Sequence, residues 1–429
     1  MQSSRDATAT RYRVAASLRG HAAPHLVPVL LVGLATVVGA VAAFVSQVIS
    51  ARAIGPQDFG LLAAFLAILN VAAVASSALQ NTVAVGIAEN TTASPARRGP
   101  SEATLVGLGF AVTILALTPV LIHVLHTTAT VVVVAAAVIP LSFWLSEAVG
   151  VLQGLGRSTE ATWWTALSLL FRVAILLVAL ALGFGIAGVL AAVLLSTGLA
   201  ALGAAIPARR VRRAPRGIFS ATGLTVLSLS LLFAWLLNSD VVILRAGAPG
   251  EVAGNFASAA ILVKAVFMLP STLSVYLLPR FVRNRDNEEL VRFGERVTAG
   301  VTVGCGLAVA AVFWFFGDLI ARLLYGAAFT SSGELLFTLS LAYLPWITAW
   351  GVFIRLIARG SRPAVVVLVV AAVLQIAGFL VAVPNVTALI WVQAVMGIAV
   401  LISFLVLVRL LDRPSDASAR KVPATEHVV

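Results

Sequence analysis

Two basic side chains lie inside apolar stretches of the sequence, where a charge is costly. Arg172 lies within the apolar run 161–182, and Lys264 lies within the run 253–278. A charge at the centre of a membrane helix costs about 2.5–3.5 kcal/mol on insertion scales, so each needs a specific role. Both residues lie near the middle of their runs, and cations at that depth attract anions. They are therefore candidates to line a cavity for an anionic molecule.

Polar side chains near these cations recur at helical spacing. Ser168 lies four residues before Arg172, so the two share one helix face. A second polar stripe recurs at the same kind of spacing in the run 60–86. Polar stripes in membrane helices face protein or water rather than lipid. The candidate cavity residues on these stripes are Asn70, Ser77, Asn81 and Ser168.

An ion pair is the alternative role for each cation. Glu147 is the acidic candidate to pair with Arg172. At a rise of 1.5 Å per residue, however, the two residues differ in depth along the membrane normal by roughly 10 Å. Glu147 could instead couple transport to an ion, or extend its side chain to the interface. Asp240 lies near the outer end of its run, where an interfacial helix-end role is expected. Asp240 is also a candidate for the cavity or its gate, as are Arg52, Arg245 and Arg355.

The other reactive side chains form no catalytic or metal-binding constellation. Cys305 is the only cysteine, which excludes an intrachain disulfide and a cysteine cluster for a metal. His123 and His126 are three residues apart and have no third ligand nearby. The outer carboxylates are scattered, so a membrane-embedded glycosyltransferase or ligase is the least favoured class. We therefore expect a protein that is not an enzyme and holds no metal and no cofactor.

The composition places these residues in a membrane protein. Of 429 residues, 60% are hydrophobic and 11% are charged, whereas soluble domains are about 25% charged. Apolar runs recur near the roughly 20 residues that a helix needs to cross a bilayer. The twelve predicted spans are 26–50, 60–86, 103–123, 131–151, 161–182, 185–206, 224–244, 253–278, 297–316, 335–357, 364–383 and 388–407. The predicted fold is therefore all-α and polytopic.

The distribution of basic residues predicts the orientation. The net charge of +12 would suggest a nucleic-acid partner in a soluble chain, but here the charge lies in loops, so no such partner is expected. Loops after odd-numbered spans hold only Arg52, Arg245 and Arg322, while most other basic residues lie in the remaining loops and tails. The positive-inside rule then places both termini in the cytoplasm. We expect a multi-pass protein of the bacterial inner membrane.

Two sequence matches indicate an internal duplication. Residues 52–58 and 245–251 both read Arg-Ala-x-x-Pro-x-acid on an outer loop, and residues 152–157 match 357–362 more weakly. Two repeated bundles are typical of transporters, whose substrate site lies between the repeats. The predicted segments are a cytoplasmic tail 1–25, a six-helix bundle 26–206, a basic linker 207–217, a second bundle 218–410 and a cytoplasmic tail 411–429.

Several motifs resemble a known family. Residues 50–60, Ser-Ala-Arg-Ala-Ile-Gly-Pro-Gln-Asp-Phe-Gly, are similar to the start of the second span in polysaccharide-export, lipid-linked oligosaccharide flippases. Weaker matches follow at 152–157, at 238–240 with 254–256, and at 323–326, so the resemblance covers most of the chain. That family belongs to the superfamily that includes multidrug and toxin extruders and lipid II flippases.

The resemblance implies two pseudo-symmetric six-helix bundles around a central cavity that opens alternately to each side. It implies flipping of a polyprenyl-pyrophosphate-linked oligosaccharide to the outer leaflet for polysaccharide biosynthesis, with Arg172 and Lys264 binding the pyrophosphate. Arg52 and Arg245 match positions expected to cap helices or act in gating. The expected partners are the lipid bilayer, the lipid-linked glycan, a polysaccharide polymerase and glycosyltransferases. We expect the protein to be a monomer.

A multidrug or cation exporter of the same fold is the alternative function. Exporters of that type resemble one another in carrying a coupling carboxylate in an early span. The first span of this chain offers Ser46, Gln47 and Ser50 at the comparable depth. Central cations also suit an anionic cargo better than a cationic drug.

Overall fold

The computed structural model describes residues 3–89, 101–208, 221–282, 288–329 and 331–411. Every regular element within these ranges is a helix, which confirms the all-α prediction. The helices are α1 (Ser3–Glu89), α2 (Glu102–Ala116), α3 (Thr118–Leu125), α4 (Ala129–Gly154), α5 (Ser158–Ala181), α6 (Gly185–Ala208), α7 (Ala221–Gly247), α8 (Gly250–Val282), α9 (Glu288–Tyr325), α10 (Ser332–Ala358), α11 (Arg362–Ala382) and α12 (Val386–Leu411).

These helices account for the predicted spans. Nine helices of the described ranges are long and apolar enough to cross a membrane, and the pair α2–α3, bent by 60°, adds a tenth. One of the nine, Leu30–Ala88 in α1, covers the first two predicted spans. The chain breaks there at Gly55, whose φ of 74° suits glycine, and Pro56 starts the next limb. The helix α8 covers the eighth predicted span, so the multi-pass architecture is confirmed.

The segments predicted at the ends of the first bundle are only partly described. The predicted tail over residues 1–25 is helical from Ser3 onward, as the first part of α1, and its cytoplasmic location stays a prediction. That segment is rich in alanine and arginine, which favour helices. The helix α6 ends at Ala208. The rest of the predicted basic linker and the tail after residue 411 lie outside the described residues.

The helices pack in two groups that follow the chain order. In the first half, α1 to α6, α1 packs against α4 and α5, and α4 packs against α2 and α6. In the second half, α7 to α12, α10 packs against α8, α9 and α12, and α11 packs against α7 and α12. The halves meet mainly where α1 contacts α7 and α8. These are the helices that carry the two strongest matching motifs.

The weaker sequence match corresponds to the same turn in both halves. Gly156 after α4 and Gly360 after α10 have φ values of 76° and 57°. The amide that follows each glycine donates to the carbonyl five residues earlier, at 2.9 Å and 3.1 Å respectively. A left-handed glycine followed by this bond is the Schellman ending of a helix. The two halves therefore end their fourth predicted spans in the same way.

Candidate functional site

The motifs at 52–58 and 245–251 lie against each other where the two halves meet, and we call this contact the motif seam. An ideal Cβ on Gly60 would lie 2.9 Å from both the carbonyl oxygen of Gly250 and the amide nitrogen of Gly254. An ideal Cβ on Gly254 would overlap the carbonyl oxygen of Pro56. The backbones of α1 and α8 therefore touch directly, and glycine permits this approach.

An aromatic cluster fills the motif seam beneath these glycines. Phe59 of the first half is fully buried. Its ring centre lies 6.4 Å from that of Tyr325 and 5.8 Å from that of Phe329, both in the second half. Tilted and edge-on ring pairs at these separations stabilise the contact beyond the burial of area alone. The motif that resembles the flippase family thus packs one half against the other.

Arginines from each half reach across the motif seam. The Nε of Arg52 donates to the carbonyl oxygen of Leu324 at 2.7 Å, and its Nη2 donates to that of Leu323. These carbonyls end α9, where the helix dipole favours a cation. In the opposite direction, the buried Arg245 has the carboxylate of Asp58 as an electrostatic partner. At the face predicted to be outer, Arg52 ties the halves together by hydrogen bonds and Arg245 by charge attraction alone. Their gating role stays a prediction.

Lys264 belongs to an ion pair inside the second half. Its Nζ lies 3.3 Å from Oδ1 of Asp240 and 5.0 Å from the centre of the Tyr343 ring. The Tyr343 hydroxyl donates to the other carboxylate oxygen of Asp240. Asp240 is fully buried within the bundle, where Lys264 and Tyr343 satisfy its charge. Lys264 therefore forms the ion pair that was predicted as its alternative role. The helix-end role expected of Asp240 at the membrane interface stays a prediction.

Arg172 lines a small, partly open cavity in the first half. Both limbs of α1, together with α5 and α6, form its walls. The Nε of Arg172 is buried without a hydrogen-bond partner, and no carboxylate in the described ranges pairs with the guanidinium. The Oε1 of Gln47, in the same lining, also lacks a donor. The cavity therefore holds a positive charge that the surrounding helices do not compensate.

Glu147 is bound at the start of a neighbouring helix. The hydroxyl of Ser101 donates to Oε2 of Glu147 at 2.7 Å. Ser101 is also the N-cap of α2 and accepts a hydrogen bond from the amide of Thr104 at 3.1 Å. The carboxylate therefore lies at the positive end of the α2 dipole. This contact gives Glu147 a structural role at a helix end, and its ion-coupling role stays a prediction.

The remaining predicted cavity residues do not line the Arg172 cavity. Asn70, Ser77 and Asn81 are exposed along one face of α1, while Ser168 is buried on α5. Arg355 is partly buried in the last turn of α10. The stripe on α1 thus keeps the shared face that its spacing predicts, but the structure does not bring it together with Arg172. Within the described ranges, no three potential metal ligands cluster.

Sequence reasoning missed Gln47, Phe59 and Tyr343 as functional candidates. Gln47 lies between two serines within an otherwise apolar run, and that polar cluster was the available signal. Phe59 lies inside the strongest family-like motif. Tyr343 precedes Pro345 in an apolar run, and nothing in its spacing indicates the contact with Asp240.

A family model described as polysaccharide biosynthesis protein matches residues 28–285. The match covers more than half of the chain and includes both motifs of the seam. The chain belongs to the polysaccharide biosynthesis protein family. This membership confirms the resemblance found in the sequence. No curated protein matches the chain.

Solved transporter structures share the fold. An inward-facing multidrug resistance MATE transporter of the MOP superfamily is 15% identical, with a TM-score of 0.68 over 88% of this chain and 96% of that chain. The lipid II flippase MurJ, in an inward closed conformation, is 14% identical, with a TM-score of 0.63 over 89% and 87% of the two chains. A MOP superfamily transporter from Pyrococcus furiosus is 15% identical, with a TM-score of 0.61 over 90% and 94%. These likenesses confirm the MOP transporter fold.

Proposed function

We propose that this membrane protein flips a polyprenyl-pyrophosphate-linked oligosaccharide from the cytoplasmic to the outer leaflet, by alternating access. The family match and the MOP fold support a transporter of lipid-linked molecules for polysaccharide biosynthesis. The positive-inside distribution supports a bacterial inner-membrane location with cytoplasmic termini. Glycosyltransferases that build the glycan and a polymerase that extends it are the partners this activity requires.

The observation that carries the proposal is the polarity of the first-half cavity. A cation exporter needs a carboxylate to hold its cargo or its coupling ion inside the membrane. This cavity instead presents the guanidinium of Arg172, and its lining holds no carboxylate. Since a positive site in low dielectric repels cations, the cavity of this half offers no site for a cationic cargo or a coupling cation. This polarity therefore supports the flippase over the multidrug exporter, which has the same fold.

Of the two predicted pyrophosphate ligands, Lys264 fits direct contact with the cargo better. A quarter of its side chain is exposed despite the ion pair. It lies on α8, which contacts α1 where the halves meet. An ammonium group with free donors binds phosphate oxygens through charge-assisted hydrogen bonds. Arg172 lies in the cavity within one half instead.

The exposed polar face of α1 suits the glycan part of the cargo. Asn70, Ser77 and Asn81 follow each other along one helix face and are all exposed. Amide and hydroxyl side chains donate to and accept from sugar hydroxyls. We therefore include this stripe as the hydrated path along which the sugars cross, while the lipid tail stays in the bilayer.

The test is flipping in reconstituted vesicles. The purified protein is placed in liposomes with a fluorescent polyprenyl-pyrophosphate oligosaccharide, and dithionite bleaches the label in the outer leaflet. We expect the protein to make the inner-leaflet label accessible, whereas protein-free liposomes protect it. Efflux of a cationic dye, with no effect on the lipid-linked glycan, would show the exporter instead.

A further inference from the structure

The cavity beside Arg172 contains polar groups that the described chain leaves unsatisfied. The Nε of Arg172 is buried without a partner, and so is the Oε1 of Gln47. Both side chains belong to the lining of the same cavity. Buried polar groups in proteins are nearly always paired with protein, water or a ligand. The unpaired guanidinium nitrogen therefore indicates an occupant that accepts a hydrogen bond from Arg172.

The occupant of this cavity must carry a negative charge, because no counter-ion for Arg172 lies in the described ranges. The guanidinium of Arg172 stays protonated under all ordinary conditions. An isolated charge in a low-dielectric interior is strongly unfavourable unless an opposite charge accompanies it. In the second half, Asp240 performs this role for Lys264. In the first half, the cavity lining has no acidic residue, so the counter-charge must come from solution.

The donors around the cavity match a single small anion. Ser46 donates its hydroxyl to the carbonyl of Ala43 at 2.8 Å, and Ser50 donates to the carbonyl of Ser46 at 2.7 Å. The serines therefore leave the guanidinium of Arg172 and the amide of Gln47 as the free donors. The other walls are aliphatic, including Leu62. A diphosphate has too many charged oxygens for this donor set, whereas one singly charged ion suits it.

We propose that this cavity binds a small, singly charged inorganic anion of the chloride type, held by Arg172 and Gln47. The anion is the resident counter-ion of Arg172. The site lies within one half of the protein and does not depend on which cargo crosses between the halves. It is thus separate from the proposed flipping activity, and either can fail while the other holds.

The test is direct binding of radioactive chloride to the purified full-length protein in chloride-free sodium gluconate. We expect saturable binding of one chloride per chain, with displacement by bromide or nitrate. The variant R172M should lose this binding. Its thermal stability in gluconate should match or exceed that of the native protein, because the uncompensated charge is gone. The variant Q47L should bind chloride about tenfold more weakly, as expected for one lost hydrogen bond to a charged group.

The matched control is R157Q. Arg157 lies just before the same helix α5, is about half exposed, and pairs with Glu160 outside the cavity. We expect it to bind chloride like the native protein. Absence of saturable binding in the native protein, full binding in R172M, or an equal loss in R157Q would each refute the site. Displacement of chloride by inorganic pyrophosphate would also overturn it, since the cavity would then accept the phosphate group of the cargo. If R172M does not fold, the chloride affinity of Q47L serves as the test. An affinity equal to that of the native protein would refute the proposal.

Discussion

Gly60 and Gly254 lie where the two halves of the chain meet, and at each of them the backbone of the opposite half leaves no room for a side chain. An ideal Cβ on Gly60 would lie 2.9 Å from the amide nitrogen of Gly254. Arg52 donates hydrogen bonds across the same seam, and Arg245 is attracted by the charge of Asp58 from the opposite side. Opening this face of the protein therefore requires the two backbones to separate and the arginine contacts to break.

The substitution G60A should destabilise the protein by about 1–3 kcal/mol, the usual cost of adding a methyl group to a tightly packed site. The added Cβ would press on backbone atoms of α8, which cannot rotate away as a side chain could. The measurement is the free energy of unfolding in detergent. The control is G109A on α2, where an ideal Cβ has nothing within 4 Å. Equal stability of the two variants would show that the seam is loose.

A disulfide across the motif seam should stop flipping. An ideal Cβ on Gly250 lies 3.2 Å from Cγ of Gln57, the atom that the sulfur of Q57C would replace. The two positions are therefore close enough to be joined by a disulfide. The variant carries Q57C and G250C, with C305S to remove the natural thiol. We expect flipping in liposomes to cease under oxidation and to return after reduction, because alternating access needs this seam to open.

Each single-cysteine variant serves as the control for the disulfide and should flip equally with and without oxidant. Continued flipping by the oxidised double variant, with the disulfide confirmed by mass spectrometry, would contradict an opening at this seam.

Substitutions of Lys264 and Asp240 should have non-additive effects on the free energy of unfolding. The variant K264M leaves the fully buried carboxylate of Asp240 without its cation and should cost about 3–5 kcal/mol. The double variant K264M/D240N removes both charges and should recover most of that loss. The measurement is the free energy of unfolding of both single variants and the double variant. Additive losses would show that the two side chains are not coupled.

The same double variant separates the structural role of Lys264 from its proposed contact with cargo. Since it lacks the ammonium but keeps the fold, we expect it to flip the lipid-linked glycan about tenfold more slowly, the effect of losing one charge-assisted contact. A native flipping rate in the stable double variant would restrict Lys264 to the ion pair with Asp240.

Glu147 should be dispensable for energy coupling. We expect E147Q to flip with the same dependence on a proton gradient as the native protein, because the Ser101 contact places its carboxylate at a helix end. The variant S101A removes the α2 cap and should cost about 0.5–2 kcal/mol in stability. A dependence on the proton gradient that the native protein shows and E147Q lacks would assign Glu147 to ion coupling after all.

The spans could be predicted because each depends on a local property of the sequence. Hydropathy located the helices, and the matching motifs located Gly156 and Gly360 at equivalent turns. The partner of Lys264 could not be predicted in this way. Its contact with Asp240 and Tyr343 depends on how α7, α8 and α10 are rotated against each other, and rotation is set by packing between helices. The same limit applies to Gln47, whose position beside Arg172 depends on the contact of α1 with α5.

The two halves differ in how they balance their interior charge, although they share one repeat. In the second half, Asp240 lies beside Lys264, so these two charges cancel without any ion from solution. The first half depends on solution for the neutralisation of Arg172. A membrane potential acts on net charge, with about 2.3 kcal/mol per elementary charge for each 100 mV crossed. Voltage should therefore act on Arg172 rather than on the neutral pair of Lys264 and Asp240, and the halide concentration of the medium should determine how strongly.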